Sequence, residues 1–301
     1  MEYKRLGNTK IKIPELGIGT WKLGADREAA YRSIRAGIDH GMRFVDTAEM
    51  YQNEDIVGNA IRGYDVFLAT KVSPHHFHYD DVIRACTESI KRRKVKKIDL
   101  YQLHWPNHRV DIGETMKAME RLCSDGLIDN IGVSNFSVDE LVEAQAAMSH
   151  YAIVSNQVEY SIMSRSIEHD GLLEFCKKEH VTVIAYSPLA RGEVFDRANM
   201  VGRLVEEMAK TYKKTVAQIA LNYLIRQEGV VAIPKAENET HIIDDAGASG
   251  WKLGDVDVAK IREAVGDKNV RLAGEVAQKI LKSTGAWAAI MERLEKARIR
   301  K

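Results

Sequence analysis

The chain is poor in cysteine, and the three it has, Cys86, Cys123 and Cys176, form an odd number with no framework spacing. That excludes a disulfide scaffold and fits a reducing compartment. Each cysteine falls in a helical pattern and reads as a small buried hydrophobe. Net charge is also nearly absent: 44 Lys and Arg balance 43 Asp and Glu, leaving +1. Nothing in that balance drives association with nucleic acid or an anionic membrane. No apolar run reaches the length of a membrane span. The opening MEYKRLGNTKIKIPELG lacks the apolar stretch of a secretory signal, so the expected location is the cytoplasm. His75, His76 and His78 cluster without partner carboxylates or cysteines at ligand spacing, and no metal is assigned. The basic run from Lys91 to Lys97 ends a helical pattern and reads as a solvated helix end rather than a nucleic-acid patch.

What is present is a repeated alternation. With 301 residues, 45% hydrophobic and 29% charged, the chain can bury a substantial core. Short apolar runs at Leu16–Thr20, Met42–Asp46, Val66–Lys71, Ile98–Leu103, Ile128–Val133, Ile153–Val158, Val181–Tyr186 and Val230–Ile233 read as strands. A helical pattern follows each. Ala30, Ile34 and Ile38 share one helical face, with Gly41 as the stop. Ser137 with Glu140, and Thr215 with Gln218, are capping-box pairs that open later helices. Eight such units predict an α/β fold, a (β/α)₈ TIM barrel. A doubly wound sheet would carry a Gly-x-Gly-x-x-Gly turn, and the turn at Gly17 and Gly19 lacks the third glycine. Residues Lys4 to Pro14, around Gly7-Asn8-Thr9, predict an N-terminal β-hairpin able to plug the barrel floor. The expected organisation is a single domain over 1–301, with the barrel at about 16–267. A helical C-terminal tail at about 268–301 carries Trp287, Ile290, Met291 and Leu294 on one stripe.

A barrel enzyme builds its site at the C-terminal ends of its strands. Those ends hold Asp46, Lys71, His104, Asn135, Gln157, Tyr186 and Lys235, with Tyr51 just after the second strand. Such polar residue types suit reduction of a carbonyl. A tyrosine hydroxyl, with an ordinary pKa of about 10, becomes a usable acid if a neighbouring ammonium stabilises its phenolate. Lys71 can supply that charge and is expected to lower the pKa. Asp46 can hold Lys71, and His104 can hydrogen-bond the oxygen that receives the proton. The matching hydride requires a cofactor.

The segments Gly19-Thr-Trp21, Phe44-Val-Asp-Thr-Ala48, Tyr51-Gln-Asn-Glu54, Thr70-Lys71, Leu103-His-Trp-Pro106, Gly132-Val-Ser-Asn-Phe136, Asn156-Gln157, Tyr186-Ser-Pro-Leu189 and Ile233-Pro-Lys235 resemble the motifs of the aldo-keto reductases, in that family's order. The resemblance implies an NADP(H)-dependent carbonyl reductase with Tyr51 as general acid, Lys71 and Asp46 tuning it, and His104 orienting the carbonyl. It also implies that Thr20, Ser134, Asn135 and Gln157 lie at the nicotinamide end and that Tyr186 stacks on the ring. Ser187, Leu189 and Arg191 would follow the pyrophosphate. Lys235 and His241 would lie near the adenosine phosphate, and Asp244 and Asp245 near the adenine. Trp21 and Trp105 would line the pocket of a small aldehyde, ketone or sugar substrate.

One stretch departs from the pattern. Where the family often has serine or threonine after the lysine, and an arginine six positions beyond it, this chain has Ala236, Glu237 and His241. Loss of a guanidinium fork weakens a phosphate grip. NADP(H) is the expected cofactor, with NAD(H) as the alternative. An NAD-dependent alcohol or sugar dehydrogenase and a non-catalytic NADP(H)-binding regulatory subunit are the competing readings.

Overall fold

The computed structural model describes residues 1–265 and 273–299. The chain opens with an antiparallel hairpin, β1 (Tyr3–Arg5) and β2 (Lys12–Pro14), in which Tyr3 faces Pro14. Eight parallel strands follow: β3 (Ile18–Gly19), β4 (Phe44–Asp46), β5 (Phe67–Val72), β6 (Ile98–Leu103), β7 (Ile128–Ser134), β8 (Ile153–Glu159), β9 (Thr182–Tyr186) and β10 (Val230–Ala232). Each pairs with the next in sequence order. The ring closes between the first and last: Leu16 bridges Ala232 in parallel. Gly17 N–H reaches the Ala232 carbonyl at 2.8 Å, and Gly19 N–H reaches that of Pro234 at 2.8 Å. The expected (β/α)₈ barrel is what the chain forms.

The outer layer consists of α1 (Arg27–Asp39), α2 (Glu54–Ala60), α3 (Tyr79–Arg93), α4 (Ile112–Ser124), α5 (Val138–Ala146), the short α6 (Ser166–His169) with α7 (Leu172–Lys178), then α8 (Met200–Tyr212) and α9 (Val216–Ile225). Local chemistry sets several of the starts. Asp26 accepts the Ala29 N–H, and both capping boxes, Ser137 with Glu140 and Thr215 with Gln218, close reciprocally. Two features differ from the sequence expectation. The insert after β9 folds into α8. The last strand is followed by two helices rather than one, α10 (Glu239–Ala246) and α11 (Asp255–Val265).

The barrel interior is filled by Phe44, Ala69, Leu100, Val154, Ile184 and Val231. The hairpin plugs its floor as expected, adding fully buried Leu6 and Ile13 to the same cluster. Burying each such side chain contributes about 1.5–3 kcal/mol. Gly7 lets the turn sit there. Its φ is +54°, and a Cβ would stand 2.7 Å from the Val154 carbonyl oxygen. Lys4 fastens the hairpin by donating to the carbonyls of Gln227 at 2.8 Å, Val230 at 2.6 Å, and Ile225. Burial pushes its pKa down to about 8.

The basic run at 91–97 is not a purely solvated end, contrary to expectation. Arg93 is buried, donating to Glu54 Oε1 at 2.7 Å, and Arg92 donates to Glu54 Oε2 at 2.6 Å. Thr70 and Ser89 hydroxyls reach the same carboxylate at 3.2 and 2.8 Å, so the buried Glu54 charge has four donors. The expected tail start near Asn269 lies outside the described residues. Its helical body is α12 (Ala273–Ile299), which packs on α5 and α7. Trp287 stands edge-on to Phe175 at 5.5 Å. Arg293 donates to the Ala146 and Met148 carbonyls at 3.0 and 2.9 Å, at the end of α5 that leads into β8. The described part of the tail therefore grips the outside of the barrel, not its mouth.

Candidate active site

Asp46, Lys71, His104, Ser134, Gln157 and Tyr186 close their strands or stand within two residues of those ends. Parallel pairing thus brings them to one mouth. Asp46 and Lys71 are both buried. The Lys71 ammonium donates to Asp46 Oδ1 at 2.5 Å, to the Thr47 carbonyl at 2.9 Å, and toward the Tyr51 hydroxyl at 3.4 Å. Burial works against that ammonium, but Asp46 and Tyr51 outweigh it and its pKa ends above the ordinary value.

Tyr51 lies in a 3-10 turn, Glu49–Tyr51. Two neighbours fix this turn. Glu49 Oε2 accepts the Ser73 N–H at 2.9 Å, and its other oxygen is 2.8 Å from His76 Nδ1. Asn53, buried beyond the turn, accepts from the Thr47 hydroxyl at 2.9 Å and donates to the Thr20 and Leu23 carbonyls at 2.7 and 3.0 Å. The loops after β3 and β4 are thereby tied together. Thr20 adds a hydroxyl contact to the Asp46 carbonyl at 3.0 Å.

The electrostatics of Tyr51 correct one expectation. Lys71 does pull its pKa down, but burial, the largest influence, and Asp46 push it up, and the net shift is upward from 10.0. The resting group is a protonated phenol across the physiological range. The ammonium matters once the proton has left, when it faces a phenolate. His104 meets Tyr51 edge-on, with ring centroids 5.6 Å apart. Burial first, and the Lys71 charge second, push its pKa down to about 3, so the imidazole is neutral. Its Nδ1 is buried without a hydrogen-bond partner.

A second group lines the rim from β7 to β9. Ser134 Oγ donates to the Gln157 carbonyl at 2.8 Å. Asn135, left-handed at φ +64°, donates through its amide to Ser134 Oγ and the His104 carbonyl, at 3.0 and 3.1 Å. It accepts from the Tyr186 hydroxyl at 3.0 Å. That bond holds the half-buried Tyr186 ring in place. Beyond it the backbone turns left-handed at Ser187, Ala190, Arg191 and Gly192. Arg191 lies 5.7 Å from the ring centre of Trp21, across the mouth, and Lys22 lies 4.6 Å from it. Trp21 and Trp105 are nearly half exposed. Leu189 is half buried at the start of the turn that contains Arg191.

The stretch after β10, where the resemblance puts the adenosine half of the cofactor, is looser. Lys235 is exposed and paired with Glu237 at 2.7 Å. His241 is exposed on α10. Asp244 is engaged by the cap of α9, accepting from Thr215 at 2.7 Å and from Gln218 at 3.0 Å. Asp245 is buried, and its pKa is pushed up to about 8 by burial and by Asp244. Neither therefore presents a free carboxylate at the surface. The donor chemistry around the mouth suits a nicotinamide dinucleotide: neutral amides and hydroxyls from Ser134, Asn135 and Gln157 at one end, and cations from Lys22, Arg191 and Lys235 farther along. Lys22, Asn53 and Gln102 were not singled out from sequence. Asn53 lies inside the Tyr51–Glu54 motif, and Gln102 is a lone amide in an otherwise apolar strand core.

Comparison with known proteins agrees with this geometry. A model of the Aldo/keto reductase family matches residues 15–265. Methylglyoxal reductase YeaE of Escherichia coli is 35% identical over 262 residues, covering 84% of this chain and 92% of that protein. Glyoxal reductase of Bacillus subtilis is 33% identical over 265 residues, covering 86% and 92%. An aldo/keto reductase from Klebsiella pneumoniae, solved with NADP and acetate, superposes with a TM-score of 0.78 at 36% identity, over 86% of this chain and 93% of that one. A thermostable aldo-keto reductase solved with the inhibitor epalrestat reaches 0.83 at 38% identity, over 88% and 100%.

Proposed function

The chain belongs to the aldo/keto reductase family, and from that premise we propose that it reduces small reactive aldehydes, 2-oxoaldehydes such as methylglyoxal among them, in the cytoplasm. It is an NADP(H)-dependent carbonyl reductase, as its relatives' names and the NADP and NADPH complexes of similar structures support. The observation that carries the assignment of roles is the buried Lys71 ammonium, pinned by Asp46 at 2.5 Å and directed at the Tyr51 hydroxyl.

When bound, NADPH supplies the hydride that reaches the carbonyl carbon. Ser134, Asn135 and Gln157 would hold the carboxamide, and Tyr186 would cover the ring. Arg191, with Ser187 and Leu189, would follow the pyrophosphate, while Lys235 would meet the adenosine phosphate. Neutral His104 hydrogen-bonds the substrate oxygen and orients it toward Tyr51. The phenol proton passes to that oxygen, giving the alcohol, and Lys71 stabilises the phenolate left behind. Trp21 and Trp105, nearly half exposed, would give a small substrate its apolar wall.

The test is titration of the pure protein with NADPH and NADH by fluorescence, followed by turnover with methylglyoxal, glyoxal and simple sugars. Tighter NADPH binding with turnover of the 2-oxoaldehydes is the expected result. Preferential turnover of sugar alcohols with NAD would replace the proposal by the dehydrogenase reading. NADPH binding without turnover of any carbonyl would favour a regulatory subunit.

A further inference from the structure

Asp46 has two carboxylate oxygens, and only Oδ1 faces Lys71. Its Oδ2 accepts Nε2 of Gln157 at 2.9 Å and Nε2 of Gln102 at 3.2 Å. Gln157 Nε2 also approaches Gln102 Oε1 at 3.4 Å. The three side chains form a closed triangle inside the barrel. Gln102 stands on β6 directly beside Lys71 of β5, and its other neighbour in register is Gly132 of β7. A Cβ at Gly132 would come 2.5 Å from Ser155 Oγ and 3.0 Å from Gln102 Cγ. The missing side chain leaves the room Gln102 occupies.

The geometry points to Gln102 as a positioning residue for the proton-transfer group, acting through Asp46 and not on the substrate. This inference rests on the roles proposed above. Asp46 is almost fully buried, where an ionised carboxylate must have its lone pairs met. Lys71 and the two amides meet them together. Gln102 meets one lone pair of Oδ2 and sets the carboxylate plane that aims Oδ1 at Lys71. It also sets how Gln157 can act. Both Nε2 hydrogens of Gln157 are directed inward, to Asp46 and Gln102, so only its carbonyl oxygen can face the mouth. Toward a carboxamide, Gln157 would therefore be an acceptor and not a donor.

Two variants test this by pH profile. Gln102→Met keeps the volume and removes the donor. The acid limb of kcat/KM should then move up by about one pH unit, with kcat reduced about tenfold and NADPH affinity retained. Gln102→Glu has the opposite signature. Its protonated form still donates to Asp46, while its ionised form places two carboxylates together, so activity should be lost as pH rises, below the wild-type alkaline limb. A merely structural role would lower activity equally at all pH values. Profiles matching the wild type, or parallel to it, in whichever variant folds would overturn the inference. Wild-type turnover that is lost in Tyr51→Phe yet unchanged by both Gln102 variants would remove Gln102 alone. Turnover that survives Tyr51→Phe would remove the underlying reading instead.

Discussion

The two ends of the mouth are built differently. Around Asp46, Lys71 and Tyr51 the polar groups are buried and locked into each other: one ammonium, one carboxylate, two amides and a hydroxyl, each with named partners. At the proposed adenine end, Lys235 is exposed and engaged by Glu237, two residues away, and His241 stands in solvent. The first region lies inside the barrel, where a side chain cannot change without leaving a buried charge unmet. The second lies on a loop and a helix start, where substitutions alter affinity and leave the fold alone. The proton-transfer group is therefore rigidly held, while under the proposed roles the choice between NADPH and NADH would rest on a few replaceable surface contacts.

Substitutions at the two ends should separate accordingly. Tyr51→Phe keeps the ring and its edge contact with His104 but removes the proton. We expect kcat to fall by ~10²–10⁴ with NADPH binding unchanged in fluorescence titration, and near-normal turnover would contradict the assignment. Trp287→Ala removes the anchor of α12 from outside the barrel. A loss of about 3–5 kcal/mol in denaturant unfolding is expected, with kcat per folded molecule unaltered. A large drop in kcat would mean that the tail reaches the site after all.

The buried end should also show in the pH dependence of stability. His104 has a folded pKa of about 3 against an ordinary 6.5. Between those values the unfolded chain binds a proton that the folded chain refuses. Its contribution is thus present above about pH 6.5 and lost as pH falls toward 3, at about 1.4 kcal/mol per pH unit within that window. His104→Gln should flatten this part of the urea-unfolding profile, and an unchanged slope would show that the imidazole is not buried in neutral form. At the loose end, His241→Arg should raise the ratio of kcat/KM for NADPH over NADH about tenfold, as one added charge-assisted bond of roughly 1.4 kcal/mol would. No change in that ratio would misplace the phosphate site.

Much of this was legible because barrel geometry converts position in the chain into position in space. A strand end in a parallel barrel can only point to one mouth, so Asp46, Lys71, His104 and Gln157 could be grouped before any coordinates. Gln102 escaped because it sits mid-strand in a run that reads as buried core, Ile98 to Leu103, and only the carboxylate across the barrel reveals why an amide belongs there. Arg93 escaped for a related reason: a basic run looks solvated until Glu54, from another helix, is seen beneath it.

By itself the sequence determined the eightfold alternation, the hairpin plug, the caps at Ser137 and Thr215, and the residues that meet at the mouth. Periodicity and capping are local, and one strand follows another in register. The tertiary structure alone decided three things. Tyr51 keeps a raised pKa because burial outweighs the Lys71 charge, a balance set by how much water is excluded. Asp244 is held by the cap of α9, through contacts with a helix distant in sequence. The tail lies on α5 and α7 because Trp287 finds Phe175 there, and an amphipathic stripe does not name the surface that will cover it.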